Sequence, residues 1–276
     1  MNRTTQHGLC RLMMTGVSLA LLTGAVAVSA PAQWLKLTTP GIPRTADGKP
    51  NLSAPAPKTA DGKPDFSGLW NNMRGETPPA RGEDGTENVL NYMPKGTVIP
   101  FQPWAEALYK QHLTEEGAAG RPSGYCLPHT VPDAYVHGGP KRIVQTPTIV
   151  AILYEQMTHF RQIFMDGRGR PEVTIPAWYG YSTGKWDGDA LVVDTTGFND
   201  RSWLDDAGHP HSDALHTTER FTRPDLGHLR IQITIDDPKA YTKPWTENIH
   251  FELAADTEML EDVCDNEKDA VHYPGK

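Results

Sequence analysis

Residues 180–196 read GYSTGKWDGDALVVDTT, and this stretch predicts a β-hairpin. One run of strand-forming residues, 181–186, leads into Asp187-Gly188, and a second run, 190–196, leads away from it. An Asp-Gly pair is typical of a tight hairpin turn, because glycine adopts positive φ without steric cost and aspartate bonds the local backbone. The stretch therefore predicts two antiparallel strands here.

Short apolar, β-branched runs separated by turn residues recur on both sides of this hairpin. The predicted strands after residue 147 are 148–157, 159–165, 179–186, 190–196, 214–222, 228–236, 245–253 and 257–264. Eight short strands with almost no helix between them favour an antiparallel up-and-down sheet. We expect it to close into an eight-stranded barrel, with room for packed side chains or one small ligand. A β-sandwich is the alternative.

The residues before this region predict three further parts. Residues 1–32 have the basic start, apolar run and small-residue site of a secretory signal peptide cleaved near Ala32. Residues 33–64 are rich in proline and glycine and predict an extended arm, which contains an imperfect repeat, TADGKPNLS and TADGKPDFS. Residues 65–276 are expected to form a single β-barrel domain, with a helix near 103–116 that has a proline close to its start.

Charge and cysteine content limit the compartment and the partners. The formal net charge is −8, and no basic cluster interrupts it, so nucleic acid and anionic lipid are poor partners. Signal cleavage would leave a periplasmic or secreted protein without a membrane segment. The two cysteines that remain, Cys126 and Cys264, predict a disulfide in an oxidising compartment, with two buried free thiols as the alternative.

Several motifs carry a resemblance to known proteins. Phe66-Ser-Gly-Leu-Trp70 resembles the Gly-x-Trp that opens the first strand of lipocalins. The stretches GKWDGDALVVDTTGF, HPHSDALH and TIDDPKAYTKPW are similar to a family of uncharacterised exported proteins from soil bacteria. The resemblance spans roughly residues 60–276. It implies a lipocalin-like, or calycin-like, barrel and carries over no activity.

A polar loop after the hairpin holds the first group of candidate site residues. His209 and His211 flank a proline, and His216 and Glu219 follow within the next strand. His-x-His can place two imidazoles on one divalent ion, with His216 or Glu219 as a third ligand. On a regular strand His216 and Glu219 point to opposite faces, so only one of them can join the loop histidines. The alternatives are a metal-free acid–base site and a solvated loop.

A second candidate group lies on the strands 148–165. His159 and Arg161 share one face by the two-residue period, and a neighbouring carboxylate could complete an acid–base pair. Cross-strand ion pairing on the outside is the simpler alternative. Three aromatic residues in and around the hairpin, Trp178, Tyr181 and Trp203, are candidates for stacking on a substrate, although such side chains commonly belong to a core.

The sequence contains no nucleophile elbow, phosphate loop, dinucleotide fingerprint or His-Glu-x-x-His motif. Serine hydrolase, kinase and nicotinamide chemistry are therefore disfavoured. We expect an exported barrel enzyme that acts on a small cyclic or aromatic molecule as a lyase, isomerase or hydrolase. It would use acid–base groups alone or a divalent metal. The alternative is a non-catalytic carrier of an apolar small molecule.

Overall fold

A computed structural model describes residues 37–73, 88–172 and 175–264. These residues belong to one compact unit, Lys36–Lys276. The predicted signal peptide 1–32 and its cleavage site lie outside the described residues. Within the described ranges, no helix has the length and apolar character needed to cross a membrane.

The described chain forms a closed β-barrel, in which each strand pairs with its neighbours along the chain and the last strand pairs with the first. The strands are β1 Gly68–Met73, β2 Lys141–Gln145, β3 Ile149–Tyr154, β4 His159–Phe164, β5 Tyr181–Asp187, β6 Ala190–Thr196, β7 His216–Thr222, β8 His228–Asp236 and β9 Trp245–Leu253. The predicted mainly-β barrel is confirmed, and the sandwich alternative is wrong. The central hairpin is confirmed as β5 and β6, with Gly188 at φ +61° in the turn.

The strand count and the pairing differ from the prediction. The barrel has nine strands rather than eight, and β4 pairs with β5 in parallel where a pure up-and-down barrel would be antiparallel. Strand β2 lies in a proline-rich segment before residue 147, outside the eight predicted strands. The predicted strand 257–264 is not a strand, because β9 already pairs with β8 and β1 and leaves no edge for it.

Short helices lie between β1 and β2. They are α1 Pro103–His112, α2 Glu115–Ala118 and α3 Asp133–Val136. The described residues also contain 3₁₀ turns at Val89–Tyr92, Pro122–Tyr125 and Gln156–Thr158. Helix α1 begins with proline, buries Ala105 and carries an ion pair of 2.6 Å between Glu106 and Lys110. The helix expected near 103–116 therefore contains α1 and the first residues of α2.

Apolar and polar residues alternate along the last two strands, and the apolar residues fill the barrel interior. Leu229, Ile231, Ile233 and Ile235 of β8 are buried, whereas Arg230 and Gln232 between them are exposed. In β9 the apolar residues are also the buried ones. Glu247 is the exception, because it is a fully buried carboxyl among them. The apolar face of each strand therefore points inward.

The segment after β9 closes over the outside of the barrel instead of joining the sheet. Cys264 forms the predicted disulfide with Cys126, with 5.5 Å between the Cα atoms. The backbone carbonyl of Asp262 accepts a hydrogen bond from Thr158, and the Glu155 carboxylate accepts one from the Leu260 amide. This C-terminal segment ties the loop that contains Cys126 to the turn between β3 and β4.

The two repeats of the N-terminal arm fold into matching turns. The Thr45 amide donates to the Lys49 carbonyl at 2.9 Å, and the Thr59 amide donates to the Lys63 carbonyl at 2.8 Å. In both turns the threonine hydroxyl also bonds an aspartate two residues on. The repeat is thus a repeated turn, and an Arg44–Asp256 ion pair of 2.6 Å fixes the first copy to the segment after β9.

Candidate metal centre

Two of the predicted site residues, Arg161 and Glu219, meet inside the barrel. Their side chains form a fully buried ion pair. Arg161 also donates to the hydroxyl of Tyr135 at 2.8 Å and to that of Thr195 at 2.8 Å, and Tyr135 donates to Glu219 at 2.7 Å. Burial of the Tyr135 phenol, reinforced by the Glu219 charge, raises its pKa well above the usual range. Within this network the charges of Arg161 and Glu219 neutralise each other, which a buried ion pair requires.

The loop histidines are buried but separately engaged. His209 is fully buried and donates from Nδ1 to Asp205 at 2.7 Å. Its ring stacks on Tyr109 at 4.2 Å and on Phe101 at 5.6 Å. His211 is 2.9 Å from the Ser202 hydroxyl, and burial lowers the pKa of its imidazole. His209 therefore packs the long loop against α1, whereas His211 is held by contacts with Ser202, Ser212 and Phe198.

His216 lies on the other side of β7. Its Nε2 donates to Asp194 at 2.6 Å across the β6–β7 pair, and both side chains are substantially exposed. Glu219 points into the barrel, so His216 and Glu219 lie on opposite faces of β7, as the two-residue strand period predicts. The third ligand proposed for a His209–His211 ion is thus directed to solvent.

A different set of side chains lies close enough to share one ion. One donor atom from each of His129, Asp133, His137 and Asp206 lies within 4.8 Å of the others. Among the residues that the structure describes, no other group of three or more histidine, cysteine or carboxylate side chains meets this condition. We call these four residues the His/Asp cluster.

Short elements bring the His/Asp cluster together. Asp133 begins α3, His137 follows its last residue, and His129 precedes the cis peptide bond between Val131 and Pro132. Asp133 and His137 are one helical turn apart, so their side chains lie on one side of α3. His129, which precedes the helix, joins them through its contacts with Asp133 and with the His137 ring. Asp206 comes from the long loop between β6 and β7, immediately after Asp205.

The contacts within the cluster are close. His129 donates from Nδ1 to Asp133, and the imidazoles of His129 and His137 stack with 4.3 Å between ring centroids. His137 Nδ1 lies 3.1 Å from Asp206 and 4.0 Å from Asp133. Asp206 also accepts from Arg121 at 2.9 Å. Two carboxylates and two imidazoles therefore meet with one guanidinium at their edge.

Electrostatics in the cluster favour ionised carboxylate and charged imidazole. Burial alone would raise the pKa of Asp206, but His137 and Arg121 outweigh it and lower that pKa to about 2. Burial would lower the pKa of His137, yet Asp206 and Asp133 raise it. A cation at this position is stabilised by its neighbours, whether it is a proton or a metal ion.

Two buried atoms of the cluster, His129 Nε2 and Asp133 Oδ1, have no hydrogen-bond partner among the described residues. His137 Nδ1 has the Asp206 carboxylate 3.1 Å away. Buried polar atoms are rarely left unpaired, and an absent ion is one explanation for such atoms. Imidazole nitrogen and carboxylate oxygen also form a donor set that suits Zn²⁺, Fe²⁺ or Mn²⁺. The residues present therefore fit a divalent metal.

The cluster borders both an internal cavity and an open cleft. The cavity, of about 10 Å³, touches His129, Asp133 and Asp206 and has room for about one water-sized sphere. The cleft, of about 360 Å³, opens to the outside and is lined in part by His137, Asp206 and Arg121. A small molecule in the cleft would reach the cluster from the side of His137 and Asp206.

The sequence predicted none of the four cluster residues as site residues. Three of them, in the pattern His129-x₃-Asp133-x₃-His137, lie in the proline-rich segment 121–147, for which no strand or helix was predicted. Their regular four-residue spacing was the signal that could have identified them. Asp206 lies in the long loop after the hairpin and carried no such spacing signal.

The remaining predicted residues lie elsewhere. Trp203 stacks on His112 at 4.0 Å and lines the small cavity beside the cluster. His159, Trp178 and Tyr181 line a separate groove between β4 and β5, into which Arg161 also reaches. The aromatic candidates are therefore divided between two recesses.

No family model, curated protein or solved structure matches this chain.

Proposed function

We propose that this exported barrel protein binds one divalent transition-metal ion at the His/Asp cluster and uses it for acid–base chemistry on a small cyclic or aromatic molecule. The observation that carries the proposal is the convergence of four donor groups within 4.8 Å. Two of their buried atoms, His129 Nε2 and Asp133 Oδ1, also have no hydrogen-bond partner within the described part of the chain. Reaction classes consistent with this chemistry are hydrolysis, elimination and isomerisation.

The donor geometry needs only a small contraction to hold an ion. Ligands at about 2.1 Å from a tetrahedral zinc lie about 3.4 Å apart, which is somewhat shorter than the 4.8 Å limit of the cluster. Asp133 already holds one nitrogen of His129, as the outer carboxylate does in many histidine metal sites. This contact fixes the imidazole ring and directs Nε2 away from Asp133.

A metal at this position supplies a Lewis acid, or a bound water of lowered pKa, beside the open cleft. The chain's own residues supply the rest. Arg121 and Ser123 hold the Asp206 carboxylate at 2.9 and 3.1 Å. The disulfide at Cys126 restrains the loop that carries both of them. The cluster is therefore supported by residues outside it, which a reactive site requires.

The carrier alternative receives less support from the described interior. A carrier of the lipocalin type needs an apolar space inside the barrel. Here large side chains such as Trp70, Phe221 and Phe251 are fully buried in the described interior, and the Arg161–Glu219 pair lies among them. An apolar ligand would have to use a recess outside this packed interior.

The test is metal binding followed by activity. Mature protein, stripped with chelator and titrated with Zn²⁺ or Mn²⁺ in a calorimeter, should bind one equivalent, and His137→Ala should abolish binding. His216→Ala is the matched control, since it removes a histidine that faces solvent. Hydrolysis of an aromatic ester and of a cyclic lactone should be screened with and without metal. Absence of stoichiometric binding would refute the proposal.

A further inference from the structure

The weakest place in the barrel wall lies between β4 and β5. These strands pair at two positions, Ile163 with Ser182 and Phe164 with Thr183. Every other neighbouring pair in the barrel has at least three such positions. The first four residues of β4, 159–162, therefore have a strand partner only on the β3 side among the described pairs.

This gap forms a groove lined by aromatic rings. Its volume is about 580 Å³, within the usual range of roughly 300–1,000 Å³ for small-molecule sites. The aromatic side chains that line it come from both strands and from the residues before β5: Phe160, Phe164, Trp178, Tyr179 and Tyr181. Phe160 is 62% exposed, which is costly for so large an apolar side chain on a free surface.

The rings are held in place by contacts outside the groove. Tyr179 stacks on buried Tyr154 at 5.4 Å between ring centroids. The guanidinium of Arg201 lies 5.2 Å from the centre of the Trp178 ring, and Thr130 donates to the Trp178 carbonyl at 2.8 Å. Walls fixed in this way lose little conformational entropy when a ligand binds.

The groove has no uncompensated charge among its lining residues. Arg161, its one formally charged residue, is neutralised by Glu219 inside the barrel. His159 lines the rim, and its Nε2 is buried without a partner among the described residues. Burial, with a smaller contribution from His129, lowers the pKa of the His159 imidazole and so favours its neutral form. One hydrogen-bonding side chain thus stands among aromatic walls.

We infer that this groove binds a neutral, planar aromatic molecule that stacks on the rings and bonds His159 through one polar group. A peptide strand fits less well, since the gap spans only four residues, or about 13 Å. Only one part of this inference, that the bound molecule is a substrate, rests on the proposed function. Pro128 lines both the groove and the small cavity beside the cluster.

The experiment uses 2-naphthol as the probe, with its saturated analogue decahydro-2-naphthol as the comparison. Binding to mature protein is measured by calorimetry, once with chelator and once with Zn²⁺. We expect saturable 2-naphthol binding in both conditions and at least tenfold weaker binding of the saturated analogue. The double variant Phe160→Ala/Trp178→Ala should weaken 2-naphthol binding by about tenfold, the combined loss of two ring contacts.

Val144→Ala is the matched control, because Val144 is an exposed apolar residue on β2 outside the groove. It should leave the affinity unchanged, whereas His159→Leu should lower it for 2-naphthol and spare naphthalene. Equal binding of the saturated analogue, or unchanged affinity in the double variant, would overturn the inference. Binding that persists in chelator while metal titration fails would refute the metal proposal and leave this one standing.

Discussion

Two buried histidine–aspartate pairs with the same four-residue spacing lie in this protein, and they have different surroundings. In the first, Asp205 holds His209 at 2.7 Å, and aromatic rings cover the imidazole. In the second, Asp133 holds His129, and a second imidazole stacks against it. Both pairs border the same small cavity, the first through Asp205 and the second through His129 and Asp133. Only the second pair has two further donor groups, His137 and Asp206, within 4.8 Å. Identical local spacing thus supports a structural role in one place and a ligand role in the other.

Asp205 shows why the first pair is structural. Its carboxylate accepts from the amides of Val89 and His209 as well as from the His209 ring. These contacts tie the 3₁₀ turn after β1 to the long loop. The carboxylate of Asp206, the next residue, faces His137 and Arg121 instead. Two adjacent aspartates in one loop therefore serve the two pairs.

The largest effect should come from Asp205→Ala. It leaves two buried amides and one buried imidazole unpaired, which we expect to lower the free energy of unfolding by about 3–5 kcal/mol. Urea denaturation of the metal-free protein would measure this loss. Metal affinity per folded molecule should be unchanged, and a parallel loss of metal binding would show that the two pairs act as one site.

The second effect should come from Asp206→Ala. Removal of this carboxylate should weaken Zn²⁺ binding by about 100-fold, or about 2.7 kcal/mol. The unfolding free energy of the metal-free protein should fall by about 2 kcal/mol, because Arg121, Ser123 and His137 lose a common acceptor. Calorimetric titration and urea denaturation on the same sample separate the two quantities. A stability loss without an affinity loss would assign Asp206 the structural role of Asp205.

The pKa of the buried Glu247 carboxyl group depends on an aspartate from each of the two pairs. This group is fully buried without a partner among the described residues. Burial, followed by the charges of Asp205 and Asp133, raises its pKa well above the usual range. The unfolded chain releases this proton near pH 4.3 while the folded chain retains it, so stability falls as pH rises between the two pKa values.

Glu247→Gln should therefore raise the free energy of unfolding above that of the wild type at pH 7 and change it less at pH 4. The fall in stability between these two pH values should then be smaller than in the wild type. Urea midpoints at both pH values give the measurement. Asp205→Asn in the same background should have little further effect on the flattened profile. A profile unchanged by Glu247→Gln would place the titration on another group.

The smallest effect should come from His216→Ala. Its contact with Asp194 is exposed, and exposed ion pairs contribute about 0–1 kcal/mol. We expect a change below about 0.5 kcal/mol in unfolding free energy and no change in metal affinity. A large change in either would restore His216 to the site predicted from the sequence.

Local pattern predicted the strands that lie between clear turns. The Asp187-Gly188 hairpin and the alternation of β8 follow from glycine conformation and the two-residue period. Strand β2 was missed because its surroundings are rich in proline, and 257–264 was overpredicted because closure of the barrel is a non-local property. Strand count could therefore not be read from composition.

Part of the candidate site could likewise not be predicted from local sequence pattern. The convergence of Asp206 with His129 depends on how the loop after β6 packs against α3, some 77 residues away in sequence. His209 and His211 attracted attention because they are close in sequence, yet the structure engages them in separate packing contacts. Proximity along the chain did not indicate a common ligand.

The most direct test of the central claim is the metal content of mature protein exported by a bacterial host and purified without chelator. Inductively coupled plasma mass spectrometry should find about one divalent transition-metal ion per chain in the wild type. His129→Ala/His137→Ala should contain almost none, while Asp205→Asn should retain it. Metal-free wild type that also fails to take up Zn²⁺, or equal metal in the double variant, would contradict the account.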